Sequence, residues 1–393
     1  MIDVVIVGAG PAGSTTALSL LRHDPGRIGR VVVLERARFP REKPCAGAVG
    51  ERGDKLLREL GAHVVVPSAP VDGISFRCGE GEVRASPGRI GRVVRRIEFD
   101  HALARIAVAR GADLREGVRV EAVRDDGDGG AVVETSAGSI RARVVVGCDG
   151  VGSAVRKALG AGVGTLRAQV VEVDTPPVRG DVERNLLHFD ASDRGLAGYA
   201  WDFPTVSGGR ELVCRGVYRL RIEGARDGGD DVAALLDARL RALGIDPSRC
   251  TNKRYAERGY EPASTVARGS LMLVGEAAGI DPVTGEGIAQ AIEYGVLAGK
   301  FLASRPSSAD AWADVLARSR LARDLRIRTR FAHLFYGPER PSVERFFTLA
   351  PDALHVGCQH FAAQGYDWLY LGEAIARGAA MIAAHRVSRV LGD

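Results

Sequence analysis

The sequence predicts an α/β protein: a sheet of buried strands flanked by helices, a second β-sheet domain interwoven with it, and a C-terminal helical region. Three observations carry this. An apolar run at residues 4–7 is followed by the turn Gly8-Ala9-Gly10-Pro11-Ala12-Gly13 and an apolar helical stretch reaching Leu21. Two distant segments, 144–153 and 271–288, repeat that order of buried-type strand, glycine-bearing turn and helix. Between about residues 160 and 254 the pattern changes to short β-like runs broken by Pro and Gly, as expected for an inserted sheet.

The first segment sets the ground plan. Gly8 permits the tight turn after the strand, Gly10 lets a backbone approach a pyrophosphate, and Gly13 lets the helix sit close to the sheet. The helix N-terminus aims unpaired N–H groups at the phosphate charge. A second apolar run, 31–34, ends on Glu35, placed to accept hydrogen bonds from a ribose hydroxyl. A lone GxGxxG says little. A preceding strand, a following helix and an acid at about 20 residues' separation make it a Rossmann-like dinucleotide site.

The remaining elements follow in chain order. Pro40, Pro44 and Gly47 exclude a continuous helix over 36–47, which reads as a loop crossing toward the far end of the dinucleotide. Helical spacing resumes over 51–60, and 71–76 and 82–85 look like strands, so a small sheet starts here. A helix over 101–110 closes at Gly111, and 118–123 with 131–135 form a hairpin around an Asp/Gly turn. Residues 153–159 make a short helix, 231–243 an amphipathic one and 288–303 a long one. Residues 307–393 are mostly helical, with breaks near Gly337-Pro338 and Pro351. This assigns 1–160 and 255–305 to the nucleotide-binding domain, with part of the second sheet from about 62–95. Residues 161–254 become the substrate-binding sheet and 306–393 the C-terminal helices.

Bulk properties narrow the class. A chain of 393 residues with 46% hydrophobic and 26% charged residues has the composition of a soluble globular protein of two or three domains. A net charge of +5 without a basic run interleaved with aromatics argues against nucleic acid. Six scattered cysteines, with no CxxC pair, suit free thiols in a reducing cytoplasm and offer no zinc site. The first strand begins within two residues, leaving no room for a signal peptide, and no apolar stretch reaches the ~18 residues of a membrane span. A cytoplasmic location is expected, with peripheral contact at a membrane surface left open.

Three glycine corners are more than a nicotinamide dinucleotide needs. They suggest FAD, whose isoalloxazine requires further backbone donors at its far end. Asp149 and Glu276 end the second and third strands, and each either accepts hydrogen bonds from cofactor hydroxyls or caps the helix that follows.

At this point a resemblance enters. The first turn, the stretch Gly147-Cys148-Asp149-Gly150-Val151-Gly152-Ser153 with Arg156, and Gly275-Glu276-Ala277-Ala278-Gly279 resemble the three fingerprints of FAD-dependent oxidoreductases of the para-hydroxybenzoate hydroxylase fold. Glu276 stands where that class has Asp. Pro44-Cys45-Ala46-Gly47, Tyr199-Ala200-Trp201-Asp202-Phe203-Pro204 and the segment 279–288 resemble motifs of its geranylgeranyl reductase family, with Ala46 replacing a glycine. The matches span roughly residues 1–300. The resemblance implies that Ala12, Gly13, Glu35 and Arg36 hold the ADP half of FAD. Cys45, Ala46 and Gly47 would lie near the isoalloxazine, Arg96 against the cofactor and Val120 at the adenine. Gly287 and Ile288 would offer N–H groups to the flavin's pyrimidine edge, where the helix dipole favours the charge that builds on reduction.

On the substrate side, Tyr199 and Trp201 lie two residues apart on a strand and share a face, with Phe203-Pro204 ending it stiffly. They either wall an apolar cavity over the flavin or are plain core. Cys45 either lies near the flavin, where it donates a proton or shapes the site, or is a small buried residue. His23, His63, His101 and His188 have no ligand-spaced partners, so no metal is expected. Arg318, Arg320, Arg323, Arg326, Arg328 and Arg330 are either a solvated face or a dock for an acidic redox protein, an acyl carrier or anionic headgroups.

Three functions compete. The first is an FAD-dependent reductase of carbon–carbon double bonds in an apolar, prenyl-like substrate. Its electrons come from outside, from transient NAD(P)H, from ferredoxin or from another protein, because no second GxGxxG is present. The second is a flavin monooxygenase or halogenase acting on an aromatic or carrier-bound intermediate, although the WxWxIP motif of halogenases is absent. The third is a non-catalytic FAD-binding electron carrier, which has no need of an aromatic-walled cavity.

Overall fold

The computed structural model describes residues 2–364 except 80, 226–227, 307 and 351–352, together with 372–373, 376–378 and 380. Five parallel strands run in the order Leu271–Leu273, Gly138–Gly147, Ile2–Val7, Val31–Glu35, Asp113–Glu116. Val4, Val5, Ile6, Val32 and Val145 are buried, because helices cover the sheet and both faces need apolar side chains. Strand Gly138–Gly147 serves twice. Its first half pairs with the hairpin Val120–Asp125/Ala131–Thr135, and its second half pairs in parallel with Ile2–Val7.

Helix Pro11–His23 follows the first strand and crosses helix Ile288–Ala303 closely. The crossing depends on two glycines. A Cβ on Gly295 would come within 2.7 Å of the Thr15 side chain, and one on Gly299 within 2.4 Å of Ser19. The Ser19 hydroxyl donates to the Val296 carbonyl across the gap at 2.9 Å.

The second sheet has seven strands in the order Lys253–Arg258, Arg167–Thr175, Arg210–Arg221, Gly198–Ser207, Leu186–Asp190, Gly73–Cys78, Gly81–Ala85. Helix Val232–Ala242 covers one face through Leu236 and Leu240, against Val171, Val173 and Val217. The other face carries Tyr199, Trp201, Phe203 and Tyr218. It packs on residues of the helices Arg320–Tyr336, Arg340–Leu349 and Ala353–Phe361.

Two boundaries differ from the sequence reading. The dividing point at residue 255 falls inside Lys253–Arg258, which pairs with Arg167–Thr175 along its whole length and belongs to the seven-stranded sheet. The single strand expected over 71–76 is two strands broken at Asp72. Ser68–Val71 joins a three-stranded sheet with Gly91–Val94 and Ala48–Gly50, while Gly73–Cys78 joins the seven-stranded one. The N–H of Asp72 is drawn off to the Asn185 carbonyl at 2.7 Å, and the chain crosses between sheets there. Most of the C-terminal region beyond 364 lies outside the described residues.

Candidate cofactor and substrate site

The three glycine corners meet at one end of the parallel sheet. Gly8 has a positive φ of 98°, and a Cβ on it would sit 2.5 Å from the Cys148 carbonyl oxygen. A Cβ on Gly13 would sit 1.9 Å from the Gly8 carbonyl oxygen. These two glycines let the chain pack on itself. Gly10 is different: the nearest atoms to its Cβ position are guanidinium nitrogens of Arg41 and Arg96, both 3.8 Å away. The open space at the helix N-terminus is therefore lined with positive charge. Ala12 packs under Gly275, whose Cβ position lies 2.7 Å from the Ala12 methyl, and so ties the first corner to the third.

Both arginines are anchored from below. Asp100 is fully buried and accepts from Arg96 Nε and Nη2 at 2.7 and 2.8 Å, while Arg41 Nη1 lies 3.1 Å from it. Arg41 Nε also lies 3.3 Å from Glu35 Oε2. Burial lowers the Arg96 pKa, but the Asp100 carboxylate outweighs it and raises the value overall, so Arg96 stays charged. Glu35 is fixed at its strand end by the N–H groups of Ala9 and Ala37, each at 3.1 Å. Arg36 beside it is exposed. The Val118 N–H donates to the Glu35 carbonyl at 3.0 Å, which brings Val120, at the head of its strand, alongside the same end.

At the second corner, Asp149 Oδ2 accepts from the Ala154 N–H at 2.7 Å, the capping role. Its Oδ1 is buried with no hydrogen-bond partner among the described residues. One oxygen caps and the other is open to a further donor. Burial raises the Asp149 pKa. Arg156 staples this corner to the third, donating to the Ala277 carbonyl at 3.2 Å and to Ser264 Oγ at 2.8 Å. Glu276 reaches back across the gap: its Oε2 lies 3.2 Å from the Cβ position of Gly150.

The loop 41–47 passes between the two sheets. The Cys45 N–H donates to Glu172 Oε1 at 2.9 Å, and the Tyr255 hydroxyl holds Glu172 Oε2 at 3.0 Å. Burial raises the Cys45 pKa, partly offset by nearby Arg96, so the thiol keeps its proton. Ala46 is half-buried, and Gly47 takes a φ of 84° where a Cβ would meet the Val94 carbonyl oxygen at 2.0 Å. Glu257 enters from the second sheet. Its Oε2 is shut off from solvent without a hydrogen-bond partner and lies 2.6 Å from the Cβ position of Gly285. Burial and then the charge of Glu276 raise its pKa well above the usual carboxylate range. Sequence reasoning missed Arg41, Glu172, Tyr255 and Glu257 as site residues. The available signal was the alternation of Tyr255 and Glu257 on one strand, which places both on one face.

Tyr199, Trp201 and Phe203 sit together on the sheet face that looks toward the third corner. All three are buried. The Trp201 ring fills the space over Gly216, with ring carbons 2.2 Å from its Cβ position. Phe189 packs edge-on against both Tyr199 and Phe203, at centroid distances of 5.3 and 5.1 Å. The Tyr199 hydroxyl leaves this apolar cluster and donates to the Thr284 carbonyl at 2.5 Å. Gly287 directly precedes helix Ile288–Ala303, so both it and Ile288 lie at that helix's N-terminus.

The arginine cluster does not share one face. Arg328 pairs with Asp281 at 2.6 Å and with Glu286 at 3.3 Å, while Arg320, Arg323 and Arg330 are exposed. His188 bonds Ser75 Oγ at 3.0 Å, and His101 stacks on Phe39. Among the described residues no group of three or more His, Cys, Asp or Glu side chains is arranged to hold a metal, and no helix is long and apolar enough to cross a membrane.

The residues present fit FAD. Gly10 leaves a cationic opening where a pyrophosphate needs one, and the buried Asp149 Oδ1 and Glu257 Oε2 await polar partners. A family model described as an FAD binding domain matches residues 1–314, and the chain belongs to that family. It is an FAD-dependent oxidoreductase of geranylgeranyl reductase-like type. The menaquinone reductase of Mycobacterium tuberculosis is 30% identical over 374 residues, covering 86% of this chain and 84% of its own. The digeranylgeranylglycerophospholipid reductase of Methanothrix thermoacetophila is 30% identical over 334 residues, covering 78% and 79%. A geranylgeranyl bacteriochlorophyll reductase-like protein of Thermoplasma acidophilum shares the fold, with a TM-score of 0.66 over 98% of both chains at 19% identity.

Proposed function

We propose that this enzyme reduces carbon–carbon double bonds of an apolar, prenyl-like substrate, taking electrons from an external donor such as NAD(P)H or ferredoxin. The observation that supports this best is the meeting of the aromatic face with the third glycine corner, through the Tyr199–Thr284 hydrogen bond. On this reading the aromatic face is a water-excluding wall beside the flavin end of the site. The two relatives at 30% identity, both named as reductases, support the same reading.

Reduced FAD supplies a hydride when bound. Arg41 and Arg96, held by Asp100, would neutralise its pyrophosphate over Gly10, and Glu35 would take a ribose hydroxyl. Asp149 Oδ1 and Glu276 would accept from the remaining hydroxyls. Tyr199, Trp201 and Phe203 would hold the apolar chain and keep water from the reacting carbons. The Cys45 thiol, kept protonated by burial, would provide the proton for the second carbon.

The test is anaerobic. The purified yellow protein is reduced, an excess of a prenyl alkene is added, and flavin absorbance is followed. Return of the oxidised spectrum with one saturated bond formed per flavin supports the proposal. A dead-time return only on admitting oxygen, with oxygen consumed in proportion to product, would replace it with monooxygenation.

A further inference from the structure

The turn that leads into helix Ile288–Ala303 is fastened from three sides. Three consecutive carbonyls each accept from a tyrosine hydroxyl: Pro282 from Tyr218 at 3.0 Å, Val283 from Tyr336 at 2.8 Å, Thr284 from Tyr199 at 2.5 Å. The tyrosines come from three elements, two neighbouring strands of the second sheet and the helix Arg320–Tyr336. The opposite edge of the turn is held by buried Asp281. Its Oδ1 accepts from the Val283 N–H at 2.8 Å, and its Oδ2 from the Thr284 N–H and hydroxyl at 3.3 and 2.6 Å. Arg328, from the same helix as Tyr336, neutralises Asp281 and reaches on to Glu286.

The peptides 282–283 and 283–284 are thus held at both edges. The peptide 284–285 is held at its carbonyl by Tyr199. Because a trans peptide is planar, that bond turns the Gly285 N–H the opposite way. Each hydroxyl draws a carbonyl dipole toward the second sheet or the C-terminal helix. Without Tyr199 the 284–285 peptide is no longer fixed at its carbonyl and can turn its negative end toward the ligand side, whereas the other two peptides keep their Asp281 bonds and lose only alignment. Tyr199 and Tyr218 also stack on each other at 5.0 Å, so they belong to the aromatic wall and to the turn together. Burial raises the pKa of both, and they remain hydroxyl donors across the working pH range.

We infer that Tyr199, Tyr218 and Tyr336 are positioning residues that orient the turn 281–287, and with it the helix N-terminus offered to the flavin, and so set FAD affinity and reduction potential. This rests on the FAD site and not on the double-bond reading, because its test needs no substrate. A role as substrate wall alone would be served equally by phenylalanine.

The experiment compares Tyr199→Phe, Tyr218→Phe and Tyr336→Phe with Thr329→Val. The last deletes a buried hydroxyl-to-carbonyl bond on the same helix, Thr329 to Tyr260 at 2.9 Å, and leaves all three turn carbonyls with their tyrosines. FAD is titrated into each apoprotein by fluorescence quenching, and the midpoint potential is read anaerobically against a reference dye. Each tyrosine variant is expected to bind FAD more weakly, by at most about five-fold, the equivalent of one net hydrogen bond. Each is also expected to be harder to reduce, Tyr199→Phe most of all, because a carbonyl turned toward the ligand disfavours the charge gained on reduction. Thr329→Val is expected to match the parent in both. Parental affinity and potential in the tyrosine variants, with only the KM for an apolar substrate altered, would overturn the inference. So would an equal effect from Thr329→Val. Should Tyr199→Phe not fold, Tyr336→Phe, whose hydroxyl comes from the last residue of helix Arg320–Tyr336, reads the same claim.

Discussion

Asp100→Asn tests the cationic cradle most directly. The wild-type carboxylate is fully buried and carries two guanidinium groups, Arg96 through paired bonds of 2.7 and 2.8 Å and Arg41 at 3.1 Å. Asparagine keeps the shape and removes the charge. Arg41 retains Glu35, but Arg96 loses its counter-ion in a buried place. Removing one partner of a buried ion pair costs about 3–5 kcal/mol. For a chain of this size that is about 4–6 °C in Tm. Both guanidinium groups face the opening at Gly10, so bound pyrophosphate restores negative charge at the same spot. The deficit is therefore expected to be largest in the apoprotein and to narrow with saturating FAD. Thermal melts of parent and variant, with and without FAD, measure both quantities. An apo variant melting within about 1 °C of the parent would show that the charges are relieved some other way. A deficit that FAD leaves unchanged would show that the guanidinium pair is not the phosphate site.

Three further outcomes are expected. Gly13→Ala places a methyl 1.9 Å from the Gly8 carbonyl oxygen, so the helix must move off the strand; FAD titration should show binding lost, with about 1–3 kcal/mol of apo stability in denaturant melts. Burial holds the Cys45 pKa above that of a free thiol, so thiolate is scarcer in the folded protein at any given pH. Alkylation at Cys45, followed by peptide mass spectrometry, should be slower than for free cysteine at pH 8 and rise only in more alkaline solution; parity with free cysteine would refute it. Glu257 has a folded pKa raised above the unfolded value of 4.5, so the folded state holds a proton that the unfolded chain releases. Its contribution is complete below that value and is lost as pH climbs through the folded pKa. Apo stability should fall less steeply with rising pH in Glu257→Gln, and unchanged slopes would count against a protonated Glu257.

What could be read from the chain was what local backbone geometry enforces. Gly8 and Gly13 are required by contacts within a single strand–turn–helix unit, and that unit is contiguous in sequence. The same holds for helix Ile288–Ala303, whose bounds follow from its apolar periodicity and the glycines before it. The alternation of Tyr199 and Trp201 correctly puts them on one face. What the Tyr199 hydroxyl does was hidden, because its partner Thr284 lies 85 positions away in another sheet's connecting turn. Glu172 was hidden for a similar reason. It became part of the site through the register that sets it opposite Lys253 on one side and Gly216 on the other. Arg41 was visible as a residue of the crossing loop, but its role depends on Asp100, which sits four positions from Arg96 on a separate helix.

The alternating origin of the two sheets has a consequence for biosynthesis. The parallel sheet takes strands from residues 2–35, then 113–147, then 271–273, and the seven-stranded sheet fills the intervals with 73–85, 167–221 and 253–258. Neither sheet is complete until translation has passed about two-thirds of the message, and the last parallel strand arrives after every strand of the other sheet. Such long-range pairing is slow to form and leaves strand edges open meanwhile. The nascent polypeptide therefore carries open strand edges until residue 273 has cleared the exit tunnel, and the three corners of the FAD site come together only once residues 275–288 have followed.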